Sequence, residues 1–497
     1  MEQNERPLSR CACCAGLGRR DFLKEVAVLS AAAPAAVAAL HEAIAAAAPP
    51  PEKKPPVVKV GFIRHPGPFA GGWPGHGFNN DVACKEYSEA LGAMGKELGL
   101  VIDLADSFIP VGDPAATDRF IAAVKAQKPD ALLICPIGIF TPWDRAQKIL
   151  SSCRLPTIIF TQIGTSFSNN TTPLAGKTGI YLVGSMSIKD VRPGLEMVKA
   201  ATTLRQSRLV VVKGSGESEK IYGNTGIRLK YVPEKAYLDA FQRTPISPEV
   251  RQLADEATRQ AHRIREVAKE DIVNAARHYF AARLLMAQYG GDGITSNCLG
   301  LLFGQVGTPC LGYSRLMDEG VVAGCEADVG SAATMFLSHS LLGRPGFMAD
   351  PLVDTANNLF ANAHCTCATK LNGFAGPREA YVLRAHHAGG RYVSVQTLWK
   401  VGQVFTLSRF QKPNLLIVDR AKVVCNYESP PSAACITNVG AVVEGAEDDP
   451  HKVGGFHVLQ IYGDHVRKLR AYCQLYGIEA VHAWDPRCSF QFEPDYA

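Results

Sequence analysis

Glu326 ends the run "GVVAGCE" as a carboxylate carried out of a short apolar strand. In open α/β sheets, ligands bind beyond the carboxyl ends of strands, so Glu326 stands where chemistry is usually done. Asp328 follows two residues later, at the mouth of the helical stretch "AATMFLSHSLL". There a carboxylate complements the positive end of the helix, and Ser331 is the expected cap. Asp350 lies in "RPGFMADP", between apolar residues and a proline. A buried acid in such a place needs a cation, a metal or hydrogen-bond donors. His457 follows two glycines in "GGFHVLQIYGDHV", and those glycines let another backbone or a ligand approach closely.

His364 opens "HCTCATK" beside Cys365 and Cys367. A structural zinc site wants a fourth ligand and a C-x₂-C spacing that this segment lacks. His364 therefore suits an oxygen-rich site better, as a ligand or as a donor to a substrate; a core histidine is the bland alternative. Glu326, Asp350 and His457 together supply two oxygen donors and one nitrogen donor. That mixture fits Mn²⁺ or Mg²⁺ rather than a thiolate-seeking metal. A non-haem iron oxygenase wants two histidines and one carboxylate, and this tally argues against it.

Those side chains need elements to hold them. At 497 residues the chain exceeds what one core usually holds. From Val57, β-rich runs such as "VVKVGFI" and "ALLICPIG" alternate with helical stretches, which implies a parallel sheet covered on both faces. A second series starts near "GIYLVGSM" and runs through "RLVVVKGSG", a long polar helix opening at Ser247-Pro248, "DGITSNC", "TPCLGYS" and "GVVAGCE". After about Gly343, strand-like runs such as "EAYVLRAHHA", "YVSVQTLW", "QVFTLSRF" and "FHVLQIY" follow one another between turn residues. The expected fold is α/β: two tandem doubly wound parallel-sheet domains, residues 51–170 and 171–343, then a β-rich, antiparallel barrel-like domain over 344–497.

The formal charge of +5 comes without any Lys/Arg block, so nucleic acid is not an expected partner. Residues 1–50 read as a leader and linker. "GRRDFLK" precedes an alanine-rich stretch with small residues at Ala45–Ala48, the pattern of a twin-arginine export signal. Pro34, His41 and Glu42 interrupt that stretch, which argues against a stable membrane anchor. The expectation is a periplasmic or otherwise exported bacterial protein that uses the twin-arginine machinery. Of the fifteen cysteines, Cys11, Cys13 and Cys14 lie in this leader, and most others sit in apolar runs as buried thiols.

"GCEADVGSAATMFLSHSLLGRPGFMADP" resembles the conserved segment of the L-fucose isomerase family, related to L-arabinose isomerase. In that family a glutamate and a following aspartate bind the metal and act as the acid/base pair, and Glu326 and Asp350 match both residue types and their spacing. "FHVLQIYGDHVRKLRAYCQLYGIEAV" is similar to the family's C-terminal run, which gives His457 the role of third metal ligand. The resemblance implies a metal-dependent aldose–ketose isomerase acting on a small-molecule sugar through an enediol, in a homo-oligomer. His364 would then donate to a substrate hydroxyl. Trp73 and His76, in the glycine-rich loop "RHPGPFAGGWPGHGF", would stack on or bond the sugar, or else belong to a plain surface loop. The rivals are an exported sugar-binding protein without turnover and a metal-dependent sugar epimerase or lyase on the same scaffold.

Overall fold

A computed structural model describes residues 53–68, 78–139, 141–299, 306–386, 392–427 and 435–488. The expected export signal, Trp73 and His76 lie outside the described residues. The first sheet aligns Val57–Arg64, Ala131–Ile137, Thr157–Gln162 and Ile180–Ser185 in parallel, and Val101–Asp103 and Phe108–Pro110 share the free edge of Val57–Arg64. Its strands read as unbroken apolar runs because both faces are covered. Leu133 packs toward Tyr87 and Leu91 of helix Asn80–Leu98. Its neighbours Leu132 and Ile134 face the opposite way, toward Phe120 and Ile149. The strand expected to open the second series, Ile180–Ser185, instead pairs with Thr157–Gln162 as the far edge of this first sheet.

The second sheet runs Val322–Cys325, Gly293–Ser296, Arg208–Val212 and Ile227–Val232 in parallel, with Ser218–Tyr222 antiparallel at the edge. "TPCLGYS" is not a strand but the start of helix Cys310–Asp318. A short apolar run cannot be told from a buried helix by periodicity. Gly312 lets this helix lie against helix Lys269–Tyr289, since a Cβ there would come 2.5 Å from the Tyr279 nitrogen. The long polar helix also divides. Ser247 caps Pro248–Gln260 through the Val250 N–H, and Arg263–Arg265 intervenes as a strand before Lys269–Tyr289.

The C-terminal region closes a six-stranded antiparallel barrel. Its order is Phe347–Asp354, Leu359–His364, Thr437–Val443, Leu415–Asn426, Val404–Lys412 and Val458–Tyr462, which pairs back to Phe347–Asp354. Two runs expected in the barrel, Tyr381–Ala385 and Val393–Thr397, instead form a small sheet with Arg263–Arg265. Their buried residues Leu383 and Val395 pack against helix residues Val250 and Ile272, so the helices of the second α/β region draw them away. The barrel itself docks on helix Val329–Leu337. A Cβ on Gly330 would come 2.5 Å from the Phe410 carbonyl, and Phe410 N–H donates to Thr334 Oγ1.

Candidate metal centre

Strand Val322–Cys325 ends on the outer edge of the second sheet, facing the barrel. The chain then turns through Glu326 and Ala327 with φ of 56° and 54°, both in the left-handed region. That conformation costs a side-chain-bearing residue about 1–2 kcal/mol, and such strain gathers at functional sites. The turn is held by Ala327 N–H donating to Ser296 O at 3.0 Å and Asp328 N–H to Cys325 O at 3.1 Å. Asp328, not Ser331, is the cap of helix Val329–Leu337: its Oδ1 accepts the Ser331 N–H at 2.8 Å.

The barrel supplies the other three residues from adjoining strands. Ala349 pairs with Val458 and Asp350 with Ala363. Asp350, His364 and His457 therefore gather at one rim, each within one residue of these pairs. His457 precedes its strand with φ of 53°, a third strained residue at this spot. Its Nε2 lies 3.3 Å from Glu326 Oε2 and 3.2 Å from Asp350 Oδ1. His364 Nε2 lies 3.8 Å from Glu326 Oε1, and the two imidazole rings meet edge to face at 5.4 Å. Donors sharing one hard cation at about 2.1 Å stand roughly 3–4 Å apart, and these contacts match that spacing.

Glu326, His364 and His457 each present a ligand atom, all within 4.8 Å of one another, while Asp350, expected among the ligands, stands outside that group and 3.2 Å from His457. From the sequence His364 is expected beside the ligands as a substrate donor; the structure sets it inside the cluster. Two histidines with a carboxylate also remove the tally that argued against an iron-type site. His457 Nε2 and Asp350 Oδ1 are buried and face each other at 3.2 Å, so both atoms point into the space a cation would take. The histidine side chain is 2% exposed, against 19% for Glu326 and 25% for Asp350, so the cluster opens to solvent on its carboxylate side.

Sequence reasoning missed how His457 is held. Asp328 Oδ2 lies 2.9 Å from His457 Nδ1. An ionised carboxylate only accepts, so Nδ1 carries a proton and Nε2 points at Glu326 and Asp350. This is the carboxylate–histidine arrangement that orients imidazole ligands at metal sites. Arg409 Nη1 donates to Asp328 Oδ2 at 2.8 Å and to Ser331 Oγ at 2.5 Å, and Ser331 Oγ donates to the His457 carbonyl at 2.6 Å. The strained backbone of His457 is thereby tied to the helix that follows Glu326. Burial pushes the Asp328 carboxyl up, but Arg409 and His457 outweigh it and hold the group well below the usual carboxylate range. Burial likewise opposes charge on His457, yet Asp328, Asp350 and Glu326 raise its pKa well above the ordinary value. Asp350 is lowered: burial raises it, and His457 and His364 more than offset that. Three carboxylates facing one imidazole form a strongly cation-attracting pocket.

No family model matches the chain. Over 81 residues it is 35% identical to sulfoquinovose isomerase of Clostridium sp. (strain MSTE9), a stretch covering 16% of this chain and 18% of that protein. The chain thus spans less than a fifth of the length of the curated relative it matches, and over that stretch it is similar to an isomerase.

Proposed function

We propose that this chain is a divalent-metal-dependent aldose–ketose isomerase acting on a small-molecule sugar. The observation that carries the reading is the convergence of Glu326, Asp350, His364 and His457, from two parts of the fold, at contacts of 3.2–3.8 Å. These four residues would hold the metal, and two imidazole nitrogens favour Mn²⁺ over Mg²⁺. When bound, such an ion supplies a Lewis acid for charge developing on two neighbouring sugar oxygens. The chain's own residues do the rest. Glu326 and Asp350 flank the open side of the cluster, where one carboxylate takes the proton from the carbon beside the carbonyl and the pair returns it to the neighbouring carbon. A positioned acid or base contributes about 10²–10⁴-fold. Asp328 keeps His457 in one tautomer and one orientation. His364, buried within the cluster, would serve as a metal ligand or, as the resemblance implies, as a donor to a sugar hydroxyl. Export by the twin-arginine route, a homo-oligomer, and Trp73 and His76 reaching the sugar belong to the same proposal.

The isomerase relative supports this reading over the epimerase, lyase and binding-protein alternatives. A second reading draws on one specific feature: counted without Asp350, the cluster is the two-histidine, one-carboxylate set of non-haem iron oxygenases. The experiment is proton exchange from D₂O into a panel of aldoses and ketoses, run anaerobically with Mn²⁺. Exchange beside the carbonyl should appear and fall by at least about 10²-fold in Glu326→Gln. Mn²⁺ binding with no exchange into any sugar contradicts the isomerase, and oxygen-dependent turnover with iron would favour the second reading.

A further inference from the structure

A cleft of about 790 Å³ separates the last strand of the first sheet from the barrel and the terminal helix Val466–Tyr476. It shares no residue with the Glu326 cluster. Tyr181 and Leu182 form an apolar wall on one side, and Arg420, Arg467, Arg470 and His482 line the other. The volume lies in the range of small-molecule sites.

The polar side of this cleft is built. Asp419 is buried, and both its oxygens are engaged: Oδ1 lies 2.6 Å from His482 Nδ1, and Oδ2 accepts the Ala483 N–H at 2.7 Å. His482 lies flat on Trp484, with ring centroids 4.5 Å apart and planes 7° from parallel. A side chain that is 49% exposed is therefore fixed from two sides, with Nε2 turned away from Asp419 and 3.4 Å from Arg470 Nη2. Arg470 is itself anchored by donating to the Val418 carbonyl.

Three acids, Asp419, Glu444 and Asp464, line the cleft with its three arginines, so what matters is how they pair. Arg420 takes up Glu444 at 2.8 Å and Asp464 at 3.1 Å, and Asp419 is occupied by His482 and the Ala483 amide. Arg467 and Arg470 make no ion pair among the described residues, though Arg470 donates to a carbonyl, meets an imidazole and feels the Asp419 charge. Spaced three apart on one helix, these two guanidinium groups share a face, a like-charge arrangement that is mildly unfavourable without a common counter-ion. One guanidinium fork suffices for a carboxylate. Two neighbouring guanidinium groups in one cavity, one of them steadied by His482 Nε2, suit a group with three acceptor oxygens.

We infer that this cleft binds a phosphate group, free or as the ester of a small molecule whose apolar side lies against Tyr181 and Leu182. The test is calorimetric titration of the full chain with inorganic phosphate and, separately, with a hexose 6-phosphate. One saturable site per chain is expected. Arg467→Gln and Arg470→Gln should each weaken it about tenfold, the loss of one charge-assisted contact. Glu326→Gln should leave it unchanged, which keeps this result separate from the fate of the metal centre. Tighter binding of the ester identifies an ester as the natural form, and equal binding identifies free phosphate. If an arginine variant fails to fold, His482→Gln, at a half-exposed position, gives the same readout. Absence of saturation with both probes, or an affinity untouched in the folded variants, overturns the inference.

Discussion

The molecule contains two aspartate–histidine pairs of nearly the same local geometry, and they sit in opposite electrostatic company. Asp328–His457 and Asp419–His482 both join a carboxylate to Nδ1, at 2.9 Å and 2.6 Å. Beyond His457 Nε2 lie Glu326 and Asp350, whereas beyond His482 Nε2 lies Arg470. The aspartates differ as well. Asp328 has Arg409 behind it and is held well below the usual carboxylate range. Asp419 is raised, because burial there exceeds what His482 and the Ala483 amide return. An aspartate thus fixes the direction of an imidazole, while the charge beyond the other nitrogen differs in sign: carboxylates at His457, a guanidinium at His482.

The sharpest way to break this comparison is to remove each aspartate's hold in turn. Asp328→Asn should cost about 10–100-fold in Mn²⁺ affinity, the usual effect of losing the partner that orients a ligating histidine. Asp419→Asn should leave Mn²⁺ affinity where it was. Equal losses in both variants, measured by metal titration, would mean that the two pairs act only through general stability.

A smaller effect is expected from the contact that brings the strained turn to the barrel. Gly330→Ala places a methyl 2.5 Å from the Phe410 carbonyl. Separating helix from barrel to relieve that clash should lower unfolding free energy by about 1–3 kcal/mol. The same variant should weaken Mn²⁺ binding, because Glu326 lies on one side of the seam and His457 on the other. Denaturant unfolding with and without Mn²⁺ reads both, and a stability loss with unaltered metal affinity would separate the seam from the site.

A last contrast uses histidines that have no acid at either nitrogen. His278 bonds Tyr237 and the Val306 carbonyl, and His339 bonds the Gly320 carbonyl. Burial lowers their pKa values to about 3 and about 4. Unfolded, both rings take up a proton near pH 6.5, which the folded rings resist. Their contribution to stability is therefore complete above about pH 6.5 and is lost as the pH falls toward 4 and 3. The slope is at most ~1.4 kcal/mol per pH unit for each ring. Urea unfolding between pH 6.5 and 4 should show this decline, and its flattening in His339→Gln assigns one share.

Strand-end position singled out Glu326, because a carboxylate leaving an apolar strand is visible locally, whereas Asp350 and His457 took their proposed roles from the family resemblance and His364 was expected as a substrate donor. The alternation of apolar runs and helices likewise disclosed two parallel sheets and a barrel. What local spacing concealed was the second use of a residue already explained. Asp328 does cap its helix through Oδ1, but its other oxygen meets a histidine 129 positions away. Arg409 sits in the barrel run "VFTLSRFQK", where nothing nearby marks it as the bridge between helix and histidine. Two strands went astray for a related reason: Ile180–Ser185 and Tyr381–Ala385 have the right composition for a strand, and only their packing partners decide which sheet they join.

The central claim is that one divalent ion sits between the second sheet and the barrel, and electron paramagnetic resonance of a Mn²⁺ titration tests it most directly. The account predicts one tightly held Mn²⁺ per chain, lost in His457→Ala and in Glu326→Ala while the fold persists. Free Mn²⁺ remaining in solution at every ratio, or an ion retained after both substitutions, would contradict it.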